Sequence, residues 1–335
     1  MVAFYHSGAG KRADRKKQEV HGVNATKIFV KTMKFVWIKL GFYLLIDVLF
    51  IIGGIVWLFI CNASQDPSVM MFTGIAILAI DCAAARFIKR YVAYMVKAAH
   101  VAVVATAVTT GQIPDNMIAY GTNMVKSRFV ATNVFFVLDR LVSGAVRQIQ
   151  RVIGMVGGLL SFIPAMKTLS NLFQKFVEIA FGFIDECCLG WVFLHPEQGA
   201  FKSAADGVAI YGHNIKHLLK DAAKTLVVVV LVTIVAAILP YFIFYAIAGS
   251  ITESNAMVIF LSLLIAFLIG TAVKQAFLDS YMMISMMYSY LAVAPQTEFT
   301  SELYEKLCKI SGKFRKLFGK AQEEEPLVSA EPTEY

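Results

Sequence analysis

Three aspartates lie within strongly apolar stretches of this chain of 335 residues, or close to their ends: Asp47, Asp81 and Asp279. A carboxylate inside a membrane span is costly, and it commonly marks the path of an ion or a cationic substrate. Asp47 lies well inside its apolar stretch and is the best candidate for such a path, although a polar group on a neighbouring helix would also explain it. Asp81 and Asp279 have an alternative as interfacial residues, since Arg86 and Lys274 lie near enough in sequence to pair with them.

Aromatic residues near these acids would suit one class of cargo. A quaternary amine has no hydrogen to donate, so its recognition needs aromatic faces together with a carboxylate. The alternative is that these rings form the aromatic belts that are common where spans meet water. The candidates are Trp37, Tyr43, Trp57, Tyr241, Tyr245 and Tyr281.

A polar phrase occurs twice, as "DNMIAYGTN" from Asp115 and "DGVAIYGHN" from Asp206. Aspartate caps helix starts, glycine weakens helices, and asparagine satisfies freed backbone groups. We therefore predict a helix break that opens each of two membrane-embedded units, as in a parallel internal repeat. Chance, or two ordinary helix starts, would give the same match. The repeated positions are Asp115, Tyr120, Gly121 and Asn123 in the first copy, and Asp206, Tyr211, Gly212 and Asn214 in the second.

Four apolar stretches must position these residues: 40–60, 69–88, 226–248 and 256–278. Each is about long enough to cross a bilayer as a helix. The chain is 58% hydrophobic and only 16% charged, whereas soluble domains carry about 25% charged residues. The sequence predicts an all-α integral membrane protein with four clear transmembrane helices arranged as two hairpins, and with amphipathic or re-entrant helices between them.

Lysine and arginine set the expected orientation. They crowd the amino-terminal segment, the middle of the chain and the start of the tail, whereas the short turns "CNASQDPS" and "GSITESN" have none. Because positive residues stay on the cytoplasmic side, both termini should be cytoplasmic, in a plasma membrane or a bacterial inner membrane. The net charge of +8 then indicates attraction to anionic inner-leaflet headgroups rather than to nucleic acid.

The middle of the chain is amphipathic. Arg140, Arg147 and Arg151 share one helical face, opposite an apolar face that includes Leu138 and Val142. The apolar stretch 152–163 is about 12 residues long, too short to span, so it predicts an interfacial or re-entrant helix. Whether this region lies on the inner leaflet or enters it stays open. The predicted segments are a basic cytoplasmic segment 1–39, a first hairpin 40–88, the amphipathic or re-entrant middle 89–224, a second hairpin 225–294 and a cytoplasmic tail 295–335, basic and then acidic and disordered.

Several phrases resemble the choline-transporter-like family. "MIAYGTN" (117–123) followed by "NVFFVL" (133–138) resembles the signature region of that family, and "VAIYGHN" (208–214) is similar to the same region. "FLDSYMMISMMY" (277–288) resembles the end of its last span, where Asp279 matches the family's acid. The resemblance implies transport of a choline-like cation. The family has more spans than this chain, so it implies a remote or reduced relative.

Signatures of catalysis and of metal binding are missing from the sequence. No phosphate-binding glycine loop, GxSxG or HExxH motif occurs, and the five cysteines form no CxxC pair. His213 and His217 have the spacing of metal ligands but no third ligand nearby. We expect no enzyme, no cofactor and no metal.

The combined interpretation is a multi-pass membrane transporter or pore for a small solute such as a choline-like cationic amine. The alternative is a non-transporting oligomeric membrane scaffold or a large-pore assembly. Four spans enclose little volume, so we expect a homo-oligomer in either case.

Overall fold

The structure, a computed structural model, describes residues 24–64, 66–128, 132–158, 182–251 and 256–330. These residues are almost entirely helical and include no strand, which confirms the all-α class. The helices are α1 (Ala25–Lys31), α2 (Met33–Ser64), α3 (Pro67–Phe87), α4 (Tyr94–Thr110), α5 (Met117–Arg128), α6 (Thr132–Gly158), α7 (Ile184–Leu194), α8 (Ala200–Ile251), α9 (Ala256–Val273), α10 (Asp279–Val293), α11 (Ser301–Ile310) and α12 (Gly312–Ala330).

Short π-helical turns join two pairs of these helices into longer rods. Ile88–Ala93 links α3 to α4, and Lys274–Leu278 links α9 to α10. Within the described residues, three helical stretches are long and apolar enough to cross a membrane: Met33–Ser64, Pro67–Thr110 and Ser262–Gln296. These three stretches support the prediction that the chain is a membrane protein. The remaining predicted span, 226–248, lies in the second half of α8, which packs against α9.

Helices α2 and α3 pack against each other, and the name "the hairpin" is used below for α3 together with α2 from Leu40 onward. Asp66 starts α3, since its side chain accepts a hydrogen bond from the Ser68 N–H at 2.8 Å and Pro67 occupies the first helical position. Large apolar side chains, such as those of Phe59 on α2 and Phe72 on α3, are exposed. A helix that is apolar on all sides requires apolar surroundings.

The second region is a helical body, defined here as α4 to α7, residues 200–222 of α8, and α10 to α12. It contains one continuous core. Val101 to Ala105 on α4 are fully buried, as are Tyr211 of α8 and Tyr290 of α10. The apolar face predicted on α6 is part of this core, whereas Arg140, Arg147 and Arg151 are exposed.

The acidic tail differs from its prediction. The chain is helical up to Ala330, where the sequence predicted a disordered acidic end. Phe314, Leu317 and Ala321 recur at helical spacing and are buried in the body. The Glu324 carboxylate accepts hydrogen bonds from the Ala200 and Phe201 N–H groups, both at 2.8 Å, and so caps the start of α8.

Some predictions fall on residues outside the described ones. The residues that the structure does not describe are 1–23, 65, 129–131, 159–181, 252–255 and 331–335. They include most of the predicted interfacial or re-entrant helix, most of the basic amino-terminal segment and the end of the tail.

Candidate functional site

A groove of about 300 Å³ lies between α2 and α3. Glycines make room for it. A Cβ atom at Gly53 would collide with the Asp81 carboxylate, and one at Gly74 would lie 2.8 Å from Trp57 Nε1. The groove therefore depends on the absence of side chains at these two positions. Its lining residues are Phe50, Gly53, Gly54, Trp57, Gly74, Ile77, Leu78 and Asp81.

The groove combines one carboxylate with two aromatic rings. Trp57 Nε1 donates a hydrogen bond to the Met70 carbonyl at 2.9 Å, which fixes the indole against α3. Within the described part of the chain, no side chain forms an ion pair or hydrogen bond with Asp81. An uncompensated carboxylate beside Trp57 and Phe50 is suited to attract a small organic cation.

Asp47 lies on the same side of α2 as two residues that line the groove. It lies three residues before Phe50 and ten before Trp57, a spacing that places all three on one face of α2. Its Oδ2 atom is buried and has no hydrogen-bond partner among the described residues. The charge that acts on Asp47 is that of Lys89, on the π-helical turn after α3, and Asp47 is not among the residues that line the groove.

Asp279 lies apart from the groove, in the first turn of α10. Its carboxylate forms an ion pair with Lys274 at 2.9 Å. This pairing is the alternative that the sequence offered for Asp279. Asp81, by contrast, has no comparable pair with Arg86 among the described contacts.

Most of the predicted aromatic candidates pack elsewhere. Trp37 meets the Phe277 ring edge-on at 5.3 Å, Tyr281 meets Phe29 at 5.5 Å, and Tyr241 stacks on its own neighbour Tyr245 at 5.9 Å. Of the tryptophans and tyrosines singled out, only Trp57 lines the groove. Phe50 was missed, although its spacing from Asp47 and Trp57 on one helix would have identified it.

The first copy of the repeated phrase surrounds the start of α5. Asp115 is exposed and precedes the helix, and Asn123 is exposed within it. The Tyr120 hydroxyl hydrogen-bonds the Thr106 hydroxyl of α4 at 3.1 Å. A Cβ atom at Gly121 would collide with the Ala99 carbonyl oxygen of α4, so the glycine allows the two helices to pack closely.

The second copy lies inside α8 and has different surroundings. Asp206 is only 3% exposed; its carboxylate accepts hydrogen bonds from Lys202 Nζ at 2.8 Å and from the Tyr304 hydroxyl. Asn214 has non-helical dihedral angles, φ −100° and ψ 17°, and it kinks the helix. Its Nδ2 donates to the Thr297 hydroxyl at 2.7 Å.

The remaining positions of this copy contribute to packing. Tyr211 is fully buried, and a Cβ atom at Gly212 would contact the side chain of Leu307 on α11. The two copies therefore place the interruption of helical geometry differently: before α5 in the first and at the last residue in the second.

A small acidic pocket lies in the body, where α4, α6 and α7 meet. Glu186 forms an ion pair with Lys97, and the Ser143 hydroxyl donates to Asp185 Oδ2 at 2.8 Å. Desolvation by burial raises the pKa of Asp139, although a hydrogen bond from Tyr94 opposes this shift. Sequence reasoning missed this pocket, because its acids come from two helices that are distant in the chain.

Metal binding finds no support in this pocket or elsewhere in the described residues, where no three histidine, cysteine or acidic side chains are arranged to hold an ion. Comparisons of the chain with protein-family models, curated proteins and solved structures gave no match. Function is therefore inferred from the geometry of the site.

Proposed function

We propose that the protein is a multi-pass membrane transporter or pore for a small solute, and that its cargo is a choline-like cationic amine. The observation that carries the proposal is the groove between α2 and α3, which Asp81, Trp57 and Phe50 line together. Its volume of about 300 Å³ lies at the lower end of the range for small-molecule sites. The resemblance of several short phrases to the choline-transporter-like family supports the same cargo.

The chemistry of the groove suits a quaternary ammonium group. Such a group carries its charge on carbon-bound hydrogens and offers no N–H, so aromatic faces can replace part of its hydration. The Asp81 carboxylate supplies the compensating charge. Asp47, less than two turns along α2 from Gly53, offers a second carboxylate to which the cation moves on its way through the membrane.

The proposed topology has four spans in two hairpins, with both termini cytoplasmic in a plasma membrane or a bacterial inner membrane. The distribution of lysine and arginine supports this orientation. The groove is bordered by exposed side chains, including Leu78, and a single hairpin cannot enclose it. A second copy of the chain completes the path, which makes the protein a homo-oligomer without enzymatic activity, in contact with anionic inner-leaflet headgroups.

A scaffold or large-pore assembly is the second candidate, and the exposed surface of the hairpin favours it. Only 11% of the most apolar window of α2 and 6% of that of the α3–α4 rod are buried. So large an apolar surface also suits assembly of many copies side by side. In that case the two aspartates would have no part in function.

Uptake of labelled choline into proteoliposomes separates the two candidates. We expect Asp81→Asn and Trp57→Leu each to lower the initial rate about tenfold, the effect of losing roughly 1.4 kcal/mol of binding. Trp57→Phe should keep most of the uptake, because it keeps an aromatic face. Asp115→Asn, at an exposed aspartate of the body, is the matched control and should match the wild type.

Size-exclusion chromatography of the same samples reports assembly. Normal oligomers of Asp81→Asn with reduced uptake support a carrier. Uptake by Asp81→Asn equal to that of the wild type would contradict the proposed path. A wild-type protein that forms oligomers but takes up no amine would favour the scaffold.

A further inference from the structure

A buried polar network joins the amino-terminal end of α2 to the body. Lys39 Nζ lies 2.9 Å from His100 Nδ1 on α4 and donates a hydrogen bond to the Ser280 hydroxyl of α10 at 3.0 Å. His100 Nε2 lies 3.0 Å from the Thr32 hydroxyl. Lys39 is 6% exposed, and the other three side chains are at most 2% exposed. The network is therefore almost completely buried.

The hydrogen positions follow from the chemistry of the groups. An ammonium group has donors but no acceptor, so Nδ1 of His100 accepts from Lys39 whenever the lysine is protonated. The ring proton of neutral His100 is then on Nε2, which donates to Thr32. The Thr32 hydroxyl in turn donates to the Ile28 carbonyl at 2.9 Å.

Carboxylates take no direct part in these contacts. The charged groups that act on Lys39 are Lys97 of α4, which repels it, and Asp279 of α10, which attracts it. Asp279 is already paired with Lys274, on the π-helical turn before α10. From α2 itself, Tyr43 lies close enough to interact with the charge of Asp279.

On the side of α1 the network meets only a hydroxyl and a carbonyl, because Lys27 and Lys31 of that helix are exposed. The Phe35 ring stacks on His100, with 4.9 Å between ring centroids and an interplanar angle of 12°. The basic pair is thus enclosed by apolar surface, and a buried cation without a hydrogen-bonded counter-ion is unusual.

We infer that Lys39 and His100 form a proton-binding latch, which holds α2 against α4 and α10 while one proton lies between the two nitrogens and opens when the pair binds a second proton. The Nζ–Nδ1 contact requires a donor and an acceptor. Imidazolium, like ammonium, has no acceptor, so a proton taken from water onto Nδ1 removes the hydrogen bond. Two positive charges would then face each other in an apolar site, which is strongly unfavourable. The amino-terminal end of α2 must then move away from α4 and α10.

Hydrogen–deuterium exchange of the full-length protein in lipid nanodiscs tests this latch without reference to transport. Burial and the neighbouring Lys39 charge oppose protonation of His100. The quantity compared is therefore the protection of peptides from residues 33–46 at about pH 6 and about pH 4, the second value lying well below the ordinary histidine pKa of about 6.5. Protection is calculated against the intrinsic exchange rate at each pH. We expect wild-type protection to fall by about tenfold in acid, because local opening becomes more favourable.

Two variants make the test specific. In His100→Asn the side-chain oxygen can still accept from Lys39 but the proton site is lost, so acid should leave protection unchanged. In Lys39→Met the contact no longer exists, and the acid response should again vanish. His217→Asn, at an exposed histidine of α8, is the control and should respond like the wild type.

Each result bears on the proposal. An absent acid response in the wild type would overturn it, as would a wild-type response in His100→Asn. Should His100→Asn fail to fold, Lys39→Met decides, since a full acid response without the lysine would also overturn the latch.

Discussion

Helices α3 and α4 belong to one continuous rod, yet their surroundings are opposite. In α3 the large side chains of Phe72 and Ile80 are 66% and 67% exposed, whereas Val101 and Val104 of α4 are fully buried in protein. Side-chain size explains the difference. The run "AAHVAVVATAV" in α4 is composed mainly of alanine and valine, so α5, α7 and α10 pack closely around it. An apolar composition shows that a helix needs apolar surroundings. The size of its side chains decides whether other helices of the protein can pack closely enough to provide those surroundings.

The carboxylates of the body and of the hairpin also differ in their surroundings. In the body, Asp206 and Glu186 are buried with cationic partners, so they contribute to structure. In the hairpin, neither Asp47 nor Asp81 has an ion-pair partner among the described residues. We propose that the hairpin binds the cargo and that the body provides stability. Three pairs of substitutions, each a variant with its control, test this division.

The largest expected effect is that of Asp206→Ala in the body. It removes the acceptor of both Lys202 and the Tyr304 hydroxyl. We expect the free energy of unfolding to fall by about 3 kcal/mol, the lower end of the range for breaking a buried ion pair, since the Lys202 side chain keeps 28% exposure. Unfolding in detergent micelles measures the loss.

Asp115→Ala is the matched control, because Asp115 occupies the same position in the first copy of the repeated phrase but is exposed. Its effect should lie within about 0.5 kcal/mol of zero. Equal losses in the two variants would mean that the copies have equivalent structural roles. That result would restore the internal repeat, which the different surroundings of the two aspartates do not support.

A smaller effect is expected from Gly121→Ala. The added Cβ would collide with the Ala99 carbonyl oxygen, so α4 and α5 must separate at a cost of about 1–3 kcal/mol. Gly41→Ala in the hairpin has no heavy atom within 4 Å of the new Cβ. It should be neutral or stabilising by up to about 1 kcal/mol, because alanine favours helix. A lower thermal midpoint for Gly41→Ala than for Gly121→Ala would contradict the division into a packed body and an exposed hairpin.

The sequence was sufficient for the helical class and for the hairpin, because apolar length and charge distribution act locally. It also identified Trp57 and Asp81, but as members of wider sets. Their meeting in one groove depends on the pairing of α2 with α3, which glycines at 53 and 74 permit. The contact between Lys39 and His100 could not be predicted, since it joins distant parts of the chain through packing. The hydrogen bonds from the start of α8 to Glu324 could not be predicted for the same reason, because they depend on the position of Ala200.

The smallest expected effect concerns the acidic pocket and depends on pH. Desolvation by burial raises the pKa of Asp139 in the folded protein. Its contribution to stability is therefore complete below the ordinary aspartate pKa of about 3.9 and is lost as the pH rises through the raised value. Asp139→Asn removes the cost of the ionised form, so we expect it to unfold at a higher temperature than the wild type at about pH 7.5, with the advantage shrinking towards about pH 4. Asp115→Asn should show no such trend. An advantage of Asp139→Asn that does not vary with pH would mean that the asparagine acts through packing, and that Lys97 already balances the pocket with Asp139 ionised.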